Sequence, residues 1–349
     1  RRDHARSEGL RVAQLHLGAV LDAGASRAGS GDTGGVATLL SRLGPSLAAQ
    51  PRVAEVTTIG RSAPDDQRRP GRARDGHRFE SVDLAAGEGG SFTSAWPSLV
   101  AAQRGIRAAL LAGGLPDVLH LRMADPGSLA GALVAKELGI ATVFTMAPDP
   151  HVHVQARERS GDLDRTDFAR ADAREALWLR MDLVEHLATQ AREVVLFPRA
   201  HLRRDLEELA GLDIAAGPPR YTIVAEGIDA GLIDTANHTL ASDARPAVLQ
   251  DLEAAIGRLP ASRHGLPIAI SVGRMHEVKG MARLVAAFAA DEGLAARANL
   301  VIVGGELGAP SPAEAAELRR IEEVLQGAPQ LRERIVLLGR RSNDDVALL

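Results

Sequence analysis

The chain reads as an α/β protein built from two Rossmann-like, doubly wound parallel-sheet domains, and three observations predict this. Short apolar runs alternate with longer stretches of helical periodicity, the alternation breaks once and resumes, and a glycine-rich turn stands after the first run. A length of 349 residues leaves room for two cores at about 150 residues each.

The first set of predicted strands is Val12 to Leu17, Val53 to Ile59, Val118 to Leu121, Ala141 to Thr145, Glu193 to Phe197 and Tyr221 to Val224. Between the first two, Val36, Leu39, Leu40, Leu43 and Leu47 recur at helical spacing, with Gly44-Pro45 expected to kink or split the helix. Ser128 to Leu138 and Arg174 to Ala191 read as further helices. After Gly227-Ile228-Asp229 the pattern loosens. It resumes with strand Ile268 to Val272, helix Met281 to Ala290, strand Leu300 to Val303, a charged helix from Pro312 to Leu325 and strand Ile335 to Leu338. Only three strands fit in this second set, fewer than such sheets usually hold, so the second domain is expected to be incomplete within this chain. The helix Pro312 to Leu325 reads as a solvated face.

Composition narrows the function classes. Hydrophobic residues at 45% and charged residues at 25% are ordinary for a globular protein. A net charge of -4 gives no footprint for nucleic acid, and the one basic cluster, Arg68 to Arg74, carries Pro and Gly and reads as a surface loop. Zero cysteines exclude disulfides, thiolate metal sites and a cysteine nucleophile. No apolar stretch reaches the roughly 18 residues of a membrane span. A cytoplasmic protein is the expectation.

Two segments carry chemistry. Gly29-Ser30-Gly31-Asp32-Thr33-Gly34-Gly35 opens the first helix, where backbone N–H groups and the helix N-terminus favour an anion; a purely structural turn fits equally well. The second is Gly273-Arg274-Met275-His276-Glu277-Val278-Lys279-Gly280, directly after an apolar strand. Lys279 is one of only two lysines in a chain that otherwise writes arginine. A planar guanidinium fork five residues from a compact ammonium suits a diphosphate.

Taken in order, His16-Leu17-Gly18, Asp32-Thr33-Gly34-Gly35, Asp117-Val118-Leu119-His120, Gly227-Ile228-Asp229, Gly273-Arg274 and Lys279-Gly280 resemble the family 4 retaining glycosyltransferases, the group that includes sucrose-phosphate synthases. The resemblance implies the GT-B fold, with an acceptor domain over 1–226, an interdomain linker and helix over 227–266, and a partial nucleotide-sugar domain over 267–349 facing the first across a cleft. It implies transfer of a hexose from a nucleoside diphosphate sugar to a small hydroxylated or phosphorylated acceptor, without metal or other cofactor. Arg274 and Lys279 would neutralise the leaving diphosphate. Gly34, Gly35, Gly273, Gly305, Glu306, Gly339 and Arg340 would lie toward the donor, and Asp32, Thr33, His120 and Arg180 toward the acceptor.

Four departures from that pattern stand out. Val36 replaces a usual Gln after the glycines, and Arg122 replaces a frequent second His. Ala147 stands where the family carries a His near the donor sugar. His151 or His153, with Asp149 to orient an imidazole, would take that place; the alternative is a polar loop without a role. A metal at this His-x-His is disfavoured, because the prolines break local geometry and no further ligand is spaced to complete it. The family's pair of glutamates seven residues apart has no counterpart at the right topological position, since Glu314 and Glu322 precede the third strand. The expectation is therefore part of a longer enzyme or a binding protein with a degenerate site. A GT-B sugar-nucleotide epimerase is a third reading.

Overall fold

Seven strands of the first half of the chain form one fully parallel sheet in the computed structural model, which describes residues 9–21, 34–62, 75–84, 98–147, 149–214, 220–242 and 245–349. They are β1 (Leu10–Leu15), β2 (Val53–Arg61), β3 (His77–Val82), β4 (Val118–Arg122), β5 (Ala141–Met146), β6 (Glu193–Leu196) and β7 (Tyr221–Ile223), in the order β3-β2-β1-β4-β5-β6-β7. The order reverses between β1 and β4. In open α/β sheets the carboxyl side of such a reversal is where ligands bind.

The helices of this unit are α1 (Gly34–Ala48), α2 (Leu99–Ala112), α3 (Pro126–Leu138), α4 (Pro150–Ser160), α5 (Phe168–Glu175), α6 (Leu177–Gln190) and α7 (Leu202–Ala210). α2, α3, α6 and α7 share one core with the central strands, with Leu15, Ile106, Leu119, Leu121, Phe144, Leu187, Leu196 and Leu206 almost fully buried, while α1 packs in a separate cluster around Leu40 and α4 and α5 in another around Ala171 and Leu177. Each such side chain contributes about 1.5–3 kcal/mol by leaving water.

Three sequence expectations change here. α1 runs through Pro45 to Ala48 without splitting, because the proline falls in its last turn and removes a single hydrogen bond. The expected helix Arg174 to Ala191 is two helices, divided at Ala176, whose φ of 51° cannot continue an α-helix. β3 was not anticipated; it is a sheet edge, and His77-Arg78-Phe79-Glu80 lacks the apolar run that marks the strands buried on both sides.

The chain divides into compact units at Gly227 and Ile228. The second holds α8 (Ala230–Leu240), α9 (Ala247–Ile256), β8 (Ile268–Val272), α10 (Met281–Ala290), α11 (Glu292–Arg297), β9 (Asn299–Val303), α12 (Pro312–Gly327), β10 (Ile335–Gly339) and α13 (Asn343–Leu348). Its parallel sheet has the order β10-β9-β8. β9 is buried throughout. Met281, Val285, Phe288 and Ile321 cover one side of the sheet, while Leu252, Ala255 and Ile256 of α9 pack with Val301, Val303 and Leu338 on the other. The 228–266 segment thus supplies helices to this unit. Among the described residues no helix is long and apolar enough to cross a membrane.

Candidate functional site

The carboxyl edge of the first sheet gathers polar side chains from adjacent strands. Leu15 pairs with Leu121 in register, so His16 and Arg122 are the next neighbours across β1 and β4. His16 is 2% exposed, and among the described residues neither ring nitrogen has a hydrogen-bond partner. Burial, reinforced by the charges of Arg122 and Arg61, lowers its pKa to about 4, so it is neutral at physiological pH. His120 is likewise pushed to about 4, by burial and then Arg122, and its Nε2 shares a hydrogen with Thr145 Oγ1 at 2.6 Å. Arg122 is itself buried; it lies over the Phe197 ring, 5.4 Å from its centroid, and reaches Glu226 at 3.5 Å. The planar face of the guanidinium suits that aromatic floor.

After β5 the structure corrects the sequence reading. The His151 and His153 segment is helix α4, with Pro150 at its first position and Asp149 as its cap. Asp-Pro is a favoured helix start, because proline's missing N–H would be unsatisfied there anyway; that signal was present in the sequence. The Asp149 side chain is 3% exposed and fully engaged. Oδ1 accepts from the His151 backbone N–H at 3.0 Å and faces His151 Nδ1 at 3.2 Å, and Oδ2 accepts from Arg199 at 2.7 Å. Burial would raise its pKa, but the His151 and Arg199 bonds outweigh it and hold the carboxylate below its usual range. A carboxylate only accepts, so His151 carries a hydrogen on Nδ1 toward Asp149.

His153 lies in a different environment. Burial lowers its pKa, as does the charge of Arg157, against the opposing charge of Glu175. Arg180 on α6 also acts on His153, and on Asp125, the cap of α3, whose carboxyl burial drives up to about 6. The structure therefore groups His120 with His16 and Arg122, His151 with Asp149 and Arg199, and Arg180 with Asp125 and His153. Gly34 begins α1, and Gly35 has open space where a side chain would stand. Asp32 and Thr33 lie outside the described residues.

In the second unit the site is built from backbone. Gly273, Gly304 and Gly339 end or follow β8, β9 and β10, and Gly273 N–H donates to Val303 while Gly304 N–H donates to Gly339. Gly304 has φ 137°, and a Cβ there would stand 1.8 Å from the Gly273 carbonyl oxygen, so only glycine lets the two strand ends approach this closely. Gly305 is buried against Met275. After Gly273 the chain makes a single 3-10 turn over Glu277–Lys279, with His276 Nδ1 accepting from Val278 N–H and Gly280 closing it at φ 67°. This turn folds the Lys279 stem back to about the van der Waals distance of a side chain at Gly273. Lys279 is exposed and Arg274 half-buried. Glu306 ties its own loop, with its carboxylate accepting from Gly308 N–H and its backbone N–H donating to Glu314; Arg340 is exposed nearby and its charge acts on Glu314.

Sequence reasoning missed Arg199, Glu226, Glu317 and Arg320: apart from the i,i+3 pair Glu317–Arg320, their partners Asp149, Arg122, Ala282 and Glu277 lie far away in sequence. The expected solvated face on α12 is also corrected, since Glu317 is 1% exposed.

No protein-family model matches the chain, and no curated protein matches it. Among solved structures it is similar to a sucrose-phosphate synthase from Thermosynechococcus elongatus, with TM-score 0.67 and 19% identity over 97% of this chain and 72% of that one. A UDP-forming α,α-trehalose-phosphate synthase from Burkholderia xenovorans, in complex with glucose-6-phosphate, gives TM-score 0.63 and 14% identity over 97% and 77%. An E. coli structure described as trehalose-6-phosphate bound with UDP-2-fluoro glucose gives 0.58 and 13% over 96% and 75%. At these identities the likeness is one of architecture: the chain has the Rossmann-like α/β fold of the GT-B glycosyltransferases.

Proposed function

We propose that the chain serves hexosyl transfer, with retention of configuration, from a nucleoside diphosphate sugar to a small hydroxylated or phosphorylated acceptor. The observation that carries this reading is the second unit's glycine-lined edge, where one short turn holds Arg274 and Lys279 beside Gly273. Departure of a nucleoside diphosphate builds negative charge, and cations already fixed at that edge stabilise it without reorganising. A guanidinium supplies directional hydrogen bonds and an ammonium a compact charge, which together fit two linked phosphates. The fold shared with sucrose-phosphate and trehalose-phosphate synthases supports the same class of donor, with UDP-glucose the first to test, and the same class of acceptor.

In the first unit, His151 takes the part of the imidazole absent at Ala147. Its Nε2 accepts a hydrogen from a sugar hydroxyl, while Asp149 holds the ring. Arg180 and His120 serve the acceptor side, and the reaction proceeds in the cytoplasm without a metal.

Calorimetry of UDP binding to the 349-residue chain tests the clamp. Lys279→Ala and Arg274→Ala are each expected to cost about 1.5–3 kcal/mol, the worth of a hydrogen bond to a charged group, or roughly ten- to a hundredfold in affinity. Unchanged affinity in both variants removes the assignment. Binding of UDP-glucose without release of UDP when acceptors are supplied would favour a binding protein over an enzyme.

A further inference from the structure

Helix α12 carries a row of charged side chains at Glu314, Glu317 and Arg320, three residues apart and therefore on one face. None of the three simply points into solvent. Glu314 accepts from the backbone N–H groups of Glu306 and Ser311 at 3.1 and 2.8 Å, fixing the loop after β9. The Glu317 side chain is 2% exposed, and its Oε1 accepts from Ala282 N–H at 2.8 Å in the first turn of α10. Arg320 spans outward from there, with Nη1 on Glu317 and Nη2 on Glu277, each at 3.0 Å. Glu277 is the first residue of the turn that ends at Lys279.

We propose that Arg320 is a positioning residue for diphosphate capture, acting by holding the Glu277 carboxylate away from Arg274 and Lys279. The inference rests on the reading of those two residues as the clamp. Glu277 stands two residues before Lys279 and three after Arg274, so a carboxylate released from Arg320 has both cations within reach along the same short loop. It would pair with one of them, and a phosphate would then have to displace it. Arg320 and Glu277 are 44% and 67% exposed, and an exposed ion pair contributes little to stability by itself. Losing this pair is therefore expected to act on binding, whereas losing Arg320's other bond, to the buried Glu317, acts on stability.

The test is calorimetric binding of inorganic pyrophosphate and of UDP to the full chain, pyrophosphate being independent of the base. Arg320→Gln is expected to weaken both about five- to tenfold, and Glu277→Gln alone to bind as well as or better than the parent. The double variant Arg320→Gln/Glu277→Gln should return to within about twofold of the parent, which a merely structural role for Arg320 does not predict. An unaltered Arg320→Gln, or a double variant as weak as the single one, overturns the proposal. Should Arg320→Gln fail to fold, Glu277→Gln and Arg320→Lys still decide it. Weaker binding in Glu277→Gln, or more than threefold loss in Arg320→Lys, would overturn the positioning role. Pyrophosphate binding that ignores Lys279→Ala and Arg274→Ala removes the clamp itself, whereas binding that depends on Lys279 but not on Arg320 removes only this inference.

Discussion

The carboxyl edges of the two sheets are built on opposite plans. In the first unit the polar groups are side chains taken out of water: His16, Arg122 and Asp149 are all below a tenth exposed, and Asp149 is answered by Arg199, 50 residues away, and by its near neighbour His151. In the second unit the edge is glycine backbone, with Arg274 and Lys279 standing at its rim. A site made of buried side chains couples its chemistry to the stability of its domain, because each group lost leaves a partner desolvated. A backbone cradle with cations at its rim separates the two. Its cations can be removed without touching the core, while its glycines cannot.

The largest effect expected from this contrast lies in the second unit. Gly304→Ala meets the Gly273 carbonyl and forces alanine to φ 137°; a loss of at least about 3 kcal/mol is expected, seen as early unfolding of the second unit in a urea titration while the first unit's transition stays in place. Next comes Asp149→Ala, which removes the α4 cap, worth about 1 kcal/mol, and strips partners from Arg199 and His151. A total of about 2–4 kcal/mol from the first unit's transition is expected. Asp149→Ala as stable as the parent would dissolve the contrast.

Acid should separate the edges as well. His16 and His120 titrate near 4 when folded and near about 6.5 when unfolded. The unfolded chain binds more protons between those values, so stability falls as pH drops from 6.5 toward 4. Asp125 works the other way, since its carboxyl is raised to about 6 from 3.8 and acid relieves it, offsetting part of the loss. The net fall should be on the order of a few kcal/mol. Its slope should be shallower in His120→Gln, which chemical denaturation at stepped pH would measure. The smallest effect is that of Lys279→Ala on stability, within about 0.5 kcal/mol, even as pyrophosphate affinity drops; a large destabilisation there would mean that Lys279 is structural.

Much of the fold was legible because parallel strands buried on both sides announce themselves as unbroken apolar runs. Val118 to Leu121 and Leu300 to Val303 fall where the sheets place them, and Val12 to Leu17 overlaps β1, which ends at Leu15. The polar edge strand His77–Val82 escaped for lack of that signal. Of the candidate site, the Gly273 to Gly280 turn was readable because its residues are neighbours in sequence. The Asp149-Pro150 helix start is equally local, yet the sequence expectations include no helix there.

What the sequence by itself determined is the alternation of elements, the resumption of the pattern after Asp229, and the cluster of glycine, arginine and lysine after β8. These depend on periodicity and local turn chemistry, which act over a few residues. Only the tertiary structure decided that Arg199 neutralises Asp149 across 50 residues, that His16 is buried where the charges of Arg122 and Arg61 act on it, and that Arg320 reaches Glu277 across 43. Desolvation and charge pairing act through space, and the distances that govern them exist only once the sheets have brought their ends together.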